Sequence, residues 1–212
     1  EYGCVGIVVN TVKRAQKWRE LLKEKYPDVV ILLDHSRFLT PDRLEHEKEI
    51  LERVGKKASG EVRKGVLVIG TQVLEQSLDL DFDLLVTDLC PMDLLLQRIG
   101  RLHRHARMRP QELEEARCLM MGAQGELESG SRAVYGDYLL MRTWELLPDV
   151  IHLPEDISPL VQKTYEEALW SPQPSEQYSK AKEDYEIAKK KQQQNARSYR
   201  LDPPACTEFL DS

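Results

Sequence analysis

Gln97-Arg98-Ile99-Gly100-Arg101-Leu102-His103-Arg104 is the stretch from which the rest of the chain can be read. Continued as a helix at about 100° per residue, it sets Gln97, Arg101 and Arg104 on one face, within roughly 60° of one another. That face carries one amide and two guanidinium forks, which stay charged and bind oxyanions bidentately. An arginine run is ordinarily a solvated basic face. Here the apolar Leu94, Leu95, Leu96, Ile99 and Leu102 tie the other faces into a core, and an apolar run at 82–87 stops shortly before. The forks are therefore expected at a fixed place beyond a strand end, facing a polyphosphate or another polyanion.

Outward from this stretch, short apolar runs at 5–9, 29–33, 66–69, 82–87 and 116–121 are expected as strands. Between them, 12–26 carries an apolar stripe of Val12, Ala15, Trp18, Leu21 and Leu22, with Thr11 as its N-cap. Residues 42–54 form a second helix, opened by Thr40-Pro41 and closed by Gly55, and Asp93 is expected to cap the helix carrying the opening stretch. The segment 55–65 is expected as a polar basic loop, and 72–81 fits neither period. Continuous apolar strands alternating with helices predict an α/β fold, a parallel sheet with helices on both faces.

From Gly122 the character changes. Residues 122–132 are expected as a loop, 134–147 as one helix, and 158–169 as another. Ser171-Pro172-Gln173-Pro174 marks a linker, and 176–199 is a charged, Gln-rich helix that can bury little. The expected division is a first domain over 1–122, a helical extension over 123–172, and over 173–212 a linker helix leading into a truncated C-terminal domain.

The 212 residues are 41% hydrophobic and 31% charged, with net charge −6. Nineteen Lys and Arg against seventeen Asp and Glu give residues 1–110 a charge of +2, and eleven against nineteen give 111–212 a charge of −8. A polyanion site belongs in the first half, where Arg98, Arg101, Arg104, Arg107 and Arg109 stand with His103 and His105. Cys4, Cys90, Cys118 and Cys206 lack metal-ligand spacing, and no run of eighteen apolar residues occurs. A soluble, cytoplasmic protein without a metal site of its own is expected.

In an open parallel sheet, ligands bind beyond the carboxyl ends of the strands. Asn10-Thr11, Asp34 to Arg37, Gly70 to Gln72, and Asp88 all fall there, so they should line one edge. Hydroxyl and amide groups beside helix N-termini suit nucleic-acid phosphates, although each taken singly is an ordinary cap. No GxxxxGK[ST] loop is present to cradle nucleotide phosphates. Without one, Asp88 after Leu84-Leu85-Val86-Thr87 is read as a strand-end turn residue rather than a magnesium ligand. Asp34-His35, with no partner cluster, is read as a surface turn.

Gly70-Thr71-Gln72-Val73-Leu74-Glu75-Gln76-Ser77-Leu78-Asp79-Leu80-Asp81, followed by 97–104, resembles motifs V and VI of superfamily-two helicases. The first strand with Asn10-Thr11 resembles motif IV, and His35-Ser36-Arg37-Phe38 resembles the segment after it. Together with Arg101-Leu102-His103-Arg104-His105, the segment 88–92, Tyr138-Leu139-Leu140 and Thr143-Trp144-Glu145-Leu146-Leu147, the wording is similar to the CRISPR-associated helicase-nuclease of type I interference systems. His103 stands where many helicases have glycine.

The resemblance implies a RecA-like second helicase lobe with the fold of P-loop NTPases. Arg101 and Arg104 would be fingers toward ATP, Gln97 would contact the γ-phosphate or a facing lobe, and Asp79, with Gly100, would lie against the nucleotide. Asn10, Thr11, Ser36, Arg37, Thr71 and Gln72 would grip single-stranded DNA. A preceding lobe would supply the phosphate loop and Mg2+, and a separate His-Asp domain the nuclease metal. The implied function is 3′-to-5′ translocation on single-stranded DNA during CRISPR type I interference, beside a surveillance complex and away from membranes. Another superfamily-two motor, such as a restriction translocase or an RNA helicase, and a non-catalytic nucleic-acid or protein interaction module are the alternatives.

Overall fold

The computed structural model describes residues 3–38, 40–76, 78–123, 126–166 and 175–198. Two units divide the chain, Glu1–Ala168 and Leu169–Ser212. In the first, strands β1 (Cys4–Val8), β2 (Val30–Asp34), β3 (Val66–Gly70), β4 (Leu84–Asp88) and β5 (Arg117–Met121) form one sheet in the order β2-β3-β1-β4-β5. Every pairing is parallel, with Ile7 opposite Ile69 and Val86, and Val86 opposite Leu119. Each strand is the short apolar run expected from the sequence, displaced by a residue or two at its ends.

Alternation along β1 sorts the helices onto two faces. Cys4 and Val8 point into a cluster with Ile50 and Val54 of α2 (Thr40–Val54) and Leu74 of α3 (Val73–Gln76). Val5, Ile7 and Val9 point the other way, against Ala15, Trp18 and Leu22 of α1 (Val12–Lys25). Leu21, expected on that apolar stripe, is half exposed instead. Thr11 caps α1, its hydroxyl accepting the Arg14 N–H at 3.3 Å. Gly6 has a steric reason to lack a side chain: a Cβ there would stand 2.6 Å from the buried Phe82 ring.

A third cluster joins α4 (Met92–Ile99) to the segments after the sheet. Met92, Leu95 and Leu96 pack with Tyr135, Leu146, Leu160 and Val161, drawn from α5 (Ser129–Tyr135), α6 (Asp137–Leu146) and α7 (Ile157–Tyr165). The single helix expected over 134–147 is thus two, and helix begins inside the stretch expected as a loop. Gly136, at φ 75°, makes the break, since side-chain-bearing residues avoid that region. Asp93 does not cap α4. Pro91 holds that position, and the Asp93 carboxylate accepts the Tyr165 hydroxyl at 2.7 Å.

The 55–65 segment is less of a surface loop than its charge implies. It contains a 3-10 turn, Gly60–Arg63, and Arg63 is buried because Asp81 O and the Asp83 carboxylate take its guanidinium at 2.8 and 2.9 Å. The second unit contains α8 (Glu176–Ser198), opened by the Ser175 hydroxyl accepting the Tyr178 N–H at 3.1 Å. The expected linker at 171–174, the last segment from 201 and Cys206 lie outside the described residues. Among those that are described, no helix is long and apolar enough to cross a membrane.

Candidate functional site

The helix does not run through the stretch quoted at the outset. It ends at Ile99, and two tight turns follow, Arg101 N–H to Arg98 O and Leu102 N–H to Ile99 O, both 2.9 Å. The chain then lies beside Phe82, whose N–H donates to Arg101 O at 2.8 Å and whose carbonyl accepts the His103 N–H at 3.0 Å. Leu102 is drawn toward the Phe82 core, and that burial overrides the helical period. Gln97, exposed in the last turn of α4, therefore does not share a helical face with Arg101 and Arg104. His103 adopts φ 49°, the left-handed region that glycine enters most easily.

The five arginines of this region have different duties. Arg107 and Arg109 both pair with the fully buried Asp81, and Arg109 also with Asp83. Asp83 further accepts the Cys4 N–H at 2.8 Å. Burial raises the Asp83 carboxyl, but that N–H and the charges of Arg63 and Arg109 win, holding it below the usual carboxylate range. These residues anchor the 81–83 turn to β1 and have no charge to spare.

Arg98 is wholly buried. Its Nε donates to Glu75 at 2.6 Å, one terminal nitrogen to Thr87 Oγ1 at 2.9 Å and Asp88 O at 3.2 Å, and the other to Asn10 Oδ1 at 2.9 Å. One guanidinium thus ties α3 and α4 to the carboxyl ends of β1 and β4. Burial pushes the Glu75 carboxyl upward, and the Arg98 charge offsets part of the push. The sequence carried a signal for this role, because Arg98 lies three residues after the buried Leu95, beside the apolar stripe.

Arg101 and Arg104 remain. Arg101 donates to Glu75 O at 2.6 Å, and its buried Nε has no hydrogen-bond partner among the described residues. Burial, then the neighbouring Arg104 charge, lowers its pKa. Arg104 is 41% exposed; it donates to the Asp79 carboxylate at 2.7 Å and to Gly100 O at 3.2 Å. His105 meets the same Asp79 oxygen at 3.0 Å. Burial raises Asp79, but the His105 and Arg104 hydrogen bonds bring it below its ordinary value. Arg104, Asp79 and Gly100 are thus gathered in one place, with Arg101 fixed to Glu75 of α3, just before the connection that holds Asp79.

The strand ends share the carboxyl edge of the sheet, with varied surroundings. Asn10 is buried and its side chain fully engaged, its amide nitrogen donating to Leu89 O and Ser131 Oγ, each at 2.7 Å. Gln72 donates to Asn10 O at 3.3 Å and the Tyr135 hydroxyl at 3.0 Å. Thr71 is buried, its N–H held by Asp34 O at 3.2 Å. Ser36 and Arg37 are exposed in the turn after β2, where Arg37 borders a groove of about 820 Å³. Asp88 is no simple turn residue: buried, it accepts the Asn10 N–H at 3.1 Å and Arg14 Nε at 2.9 Å. Nor is Asp34-His35 a surface turn, since both are buried, and His35 stacks on Phe38 at 4.2 Å.

Among the described residues, no group of three or more His, Cys, Asp and Glu is placed to hold a metal ion.

Residues 1–107 match the family model for the C-terminal part of the CRISPR-associated nuclease/helicase Cas3. A CRISPR-associated nuclease/helicase Cas3 from Streptococcus thermophilus is 47% identical over 208 residues, covering 95% of this chain and 22% of that protein. The chain thus spans about a fifth of that relative's length. The crystal structure of T. fusca Cas3 aligns with a TM-score of 0.83 at 31% identity, over 95% of this chain and 24% of that one. A chain in a CRISPR RNA-guided surveillance complex, pre-nicking, aligns at 0.78 and 32% identity, over 94% and 25%.

Proposed function

The chain belongs to the CRISPR-associated Cas3 nuclease/helicase family, matching its C-terminal part, and from that premise we propose that it is the second motor lobe of an ATP-dependent 3′-to-5′ single-stranded DNA translocase. The setting proposed is CRISPR type I interference, beside an RNA-guided surveillance complex such as the one in which a structural neighbour is found.

One observation carries the proposal. Of the five arginines in 98–109, Arg104 combines an exposed side chain with a carboxylate partner, Asp79, that is itself 46% exposed. Such a pair is worth little in water and separates readily, so the guanidinium can turn to a phosphate brought from outside. Arg101 is half-buried beside it, one terminal nitrogen held by Glu75 O, and its other terminal nitrogen would meet the same ligand. These donors fit the phosphates of ATP. The phosphate loop and the ligands for Mg2+ are assigned to a preceding lobe. ATP supplies the free energy of its phosphoanhydride bond; Arg101 and Arg104 would neutralise charge on it and report its presence by lobe closure. Asp79 would then be free to meet the ribose or to orient Arg104, and Gln97 to meet the facing lobe. Asn10, Thr11, Ser36, Arg37, Thr71 and Gln72 form the proposed DNA edge, and closure shifts that edge against its counterpart.

In the full-length polypeptide carrying this chain, Arg104→Ala should lower DNA-stimulated ATP turnover by about 10³-fold. Its Kd for oligothymidylate should stay within about threefold, as expected when no phosphate contact is lost. Equal loss of both would make Arg104 a DNA or structural residue.

A further inference from the structure

Helix α5 lies beyond the stretch matched by the family model, yet it reaches three residues of the proposed DNA edge. Ser131 Oγ accepts the Asn10 amide at 2.7 Å, and the Tyr135 hydroxyl accepts the Gln72 amide at 3.0 Å. The backbone of Gly130 packs on Thr11 so closely that a Cβ there would stand 3.0 Å from the Thr11 methyl. A short helix thus touches the junctions after both β1 and β3, neighbouring strands in the sheet.

The hydrogen bonds at the first junction run in one direction. Glu128 accepts the Gly130 and Ser131 N–H groups at 2.9 and 2.6 Å and the Ser131 hydroxyl at 2.9 Å. With its proton committed to Glu128, the Ser131 oxygen can only accept, and Asn10 must present its NH2. The second Asn10 proton goes to Leu89 O, and Oδ1 receives Arg98. A flipped amide would set NH2 against a guanidinium, so a single orientation survives. At the second junction, Tyr135 and Asn10 O take the Gln72 amide, linking the two junctions to each other.

We propose that Ser131 and Tyr135 are positioning residues for single-stranded DNA, holding the junctions after β1 and β3 at one spacing without touching the strand. The proposal rests on the reading of this edge as the DNA grip. A grip whose two junctions are already held in place binds without first ordering its own side chains. Loosening it weakens binding and leaves the count of phosphate contacts unchanged.

The test uses the full-length polypeptide, with fluorescein-labelled oligothymidylate as the probe. Tyr135→Phe removes one hydrogen-bond acceptor and should raise the Kd and the KM for oligothymidylate about 3- to 10-fold. The kcat at saturating DNA and the KM for ATP should not move. Ser131→Ala should behave likewise, and Ser131→Thr, which keeps the hydroxyl, should restore binding. Tyr135→Phe added to Gln72→Ala should weaken binding no further than Gln72→Ala alone, whereas additive losses would mean that Tyr135 meets the strand directly and overturn the proposal. Weakened binding in Gln72→Ala with none in Tyr135→Phe would overturn it while sparing the DNA edge. If Gln72→Ala, Arg37→Ala and Thr11→Ala all bind normally, the DNA edge itself fails and the proposal with it.

Discussion

Replacing Arg98 with Met keeps an unbranched stem of similar reach and removes only the guanidinium. Four hydrogen bonds go with it, to Glu75, Thr87, Asp88 O and Asn10, all at buried positions. Most of the cost is the Glu75 carboxylate, at 1% exposure, left without its counter-charge. Removing one partner of a buried pair costs about 3–5 kcal/mol. At a urea m-value of about 2 kcal/mol/M, the unfolding midpoint should fall by roughly 1.5–2.5 M. The loss should also depend on pH. Burial already raises the Glu75 carboxyl above its ordinary value of 4.5, and losing Arg98 raises it further. A carboxyl raised by folding contributes its stability fully below the unfolded pKa and loses it as pH rises through the folded one. The deficit of Arg98→Met should therefore be larger at pH 7 than at pH 5. Arg98→Met combined with Glu75→Leu should recover most of the loss, since no uncompensated charge remains. Urea titrations followed by circular dichroism at both pH values measure all of this. A deficit under about 1 kcal/mol, or a double variant no better than the single, would refute the argument.

Asp34 is fully buried with neither carboxylate oxygen hydrogen-bonded among the described residues, and its carboxyl is raised by burial and then by the Glu47 charge. Asp34→Asn should therefore stabilise the protein by about 1 kcal/mol at pH 7, an advantage that fades below about pH 4, where Asp34 is protonated folded or unfolded; thermal melts across that range check the sign. Asp83 runs the opposite way, its folded carboxyl lying below 3.8, so its stabilisation is present above that value and lost as pH falls through the folded one. Asp83→Asn should lower the melting temperature at pH 7 and flatten the acid limb of the profile of melting temperature against pH.

The sheet was legible because each strand is a short apolar run closed by a polar residue, and continuous runs of that kind specify burial on both faces. The end of α4 was not. Leu94, Leu95, Leu96, Ile99 and Leu102 satisfy a helical spacing through the whole stretch, and only the position of Phe82, seventeen residues before Ile99, shows that Leu102 is needed elsewhere. Long-range demand of this kind cannot be read from a local period. The helical spacing that sets Arg98 beside Leu95 marks it, but charge counting does not. Charge counting treats five arginines alike, while the fold divides them by which carboxylate each can reach, Glu75 for Arg98, Asp81 for Arg107 and Arg109, Asp79 for Arg104. Asp34-His35 misled because polar pairs after strands usually face water. Here Phe38 folds back between His35 and His46, stacking on the two rings at 4.2 and 4.6 Å, and closes over them.

The division of arginines also bears on how the two halves of the site communicate. Glu75 holds Arg98 through its carboxylate and Arg101 through its backbone carbonyl. Arg98 in turn holds Asn10, which takes Gln72 on its own carbonyl. The path from Arg101 to Gln72 therefore runs through Glu75, Arg98 and Asn10, over hydrogen bonds of 2.6, 2.6, 2.9 and 3.3 Å. Its middle links are buried and charge-assisted, the kind least able to stretch, while its weakest link is the amide of Gln72. A shift of α3 would carry Arg98 and Arg101 together, and the slack would be taken up at Gln72, the residue that Tyr135 also holds. The hydrogen-bond path is therefore stiff on the arginine side and adjustable on the strand-end side, which is what the proposed coupling of ATP to DNA would need.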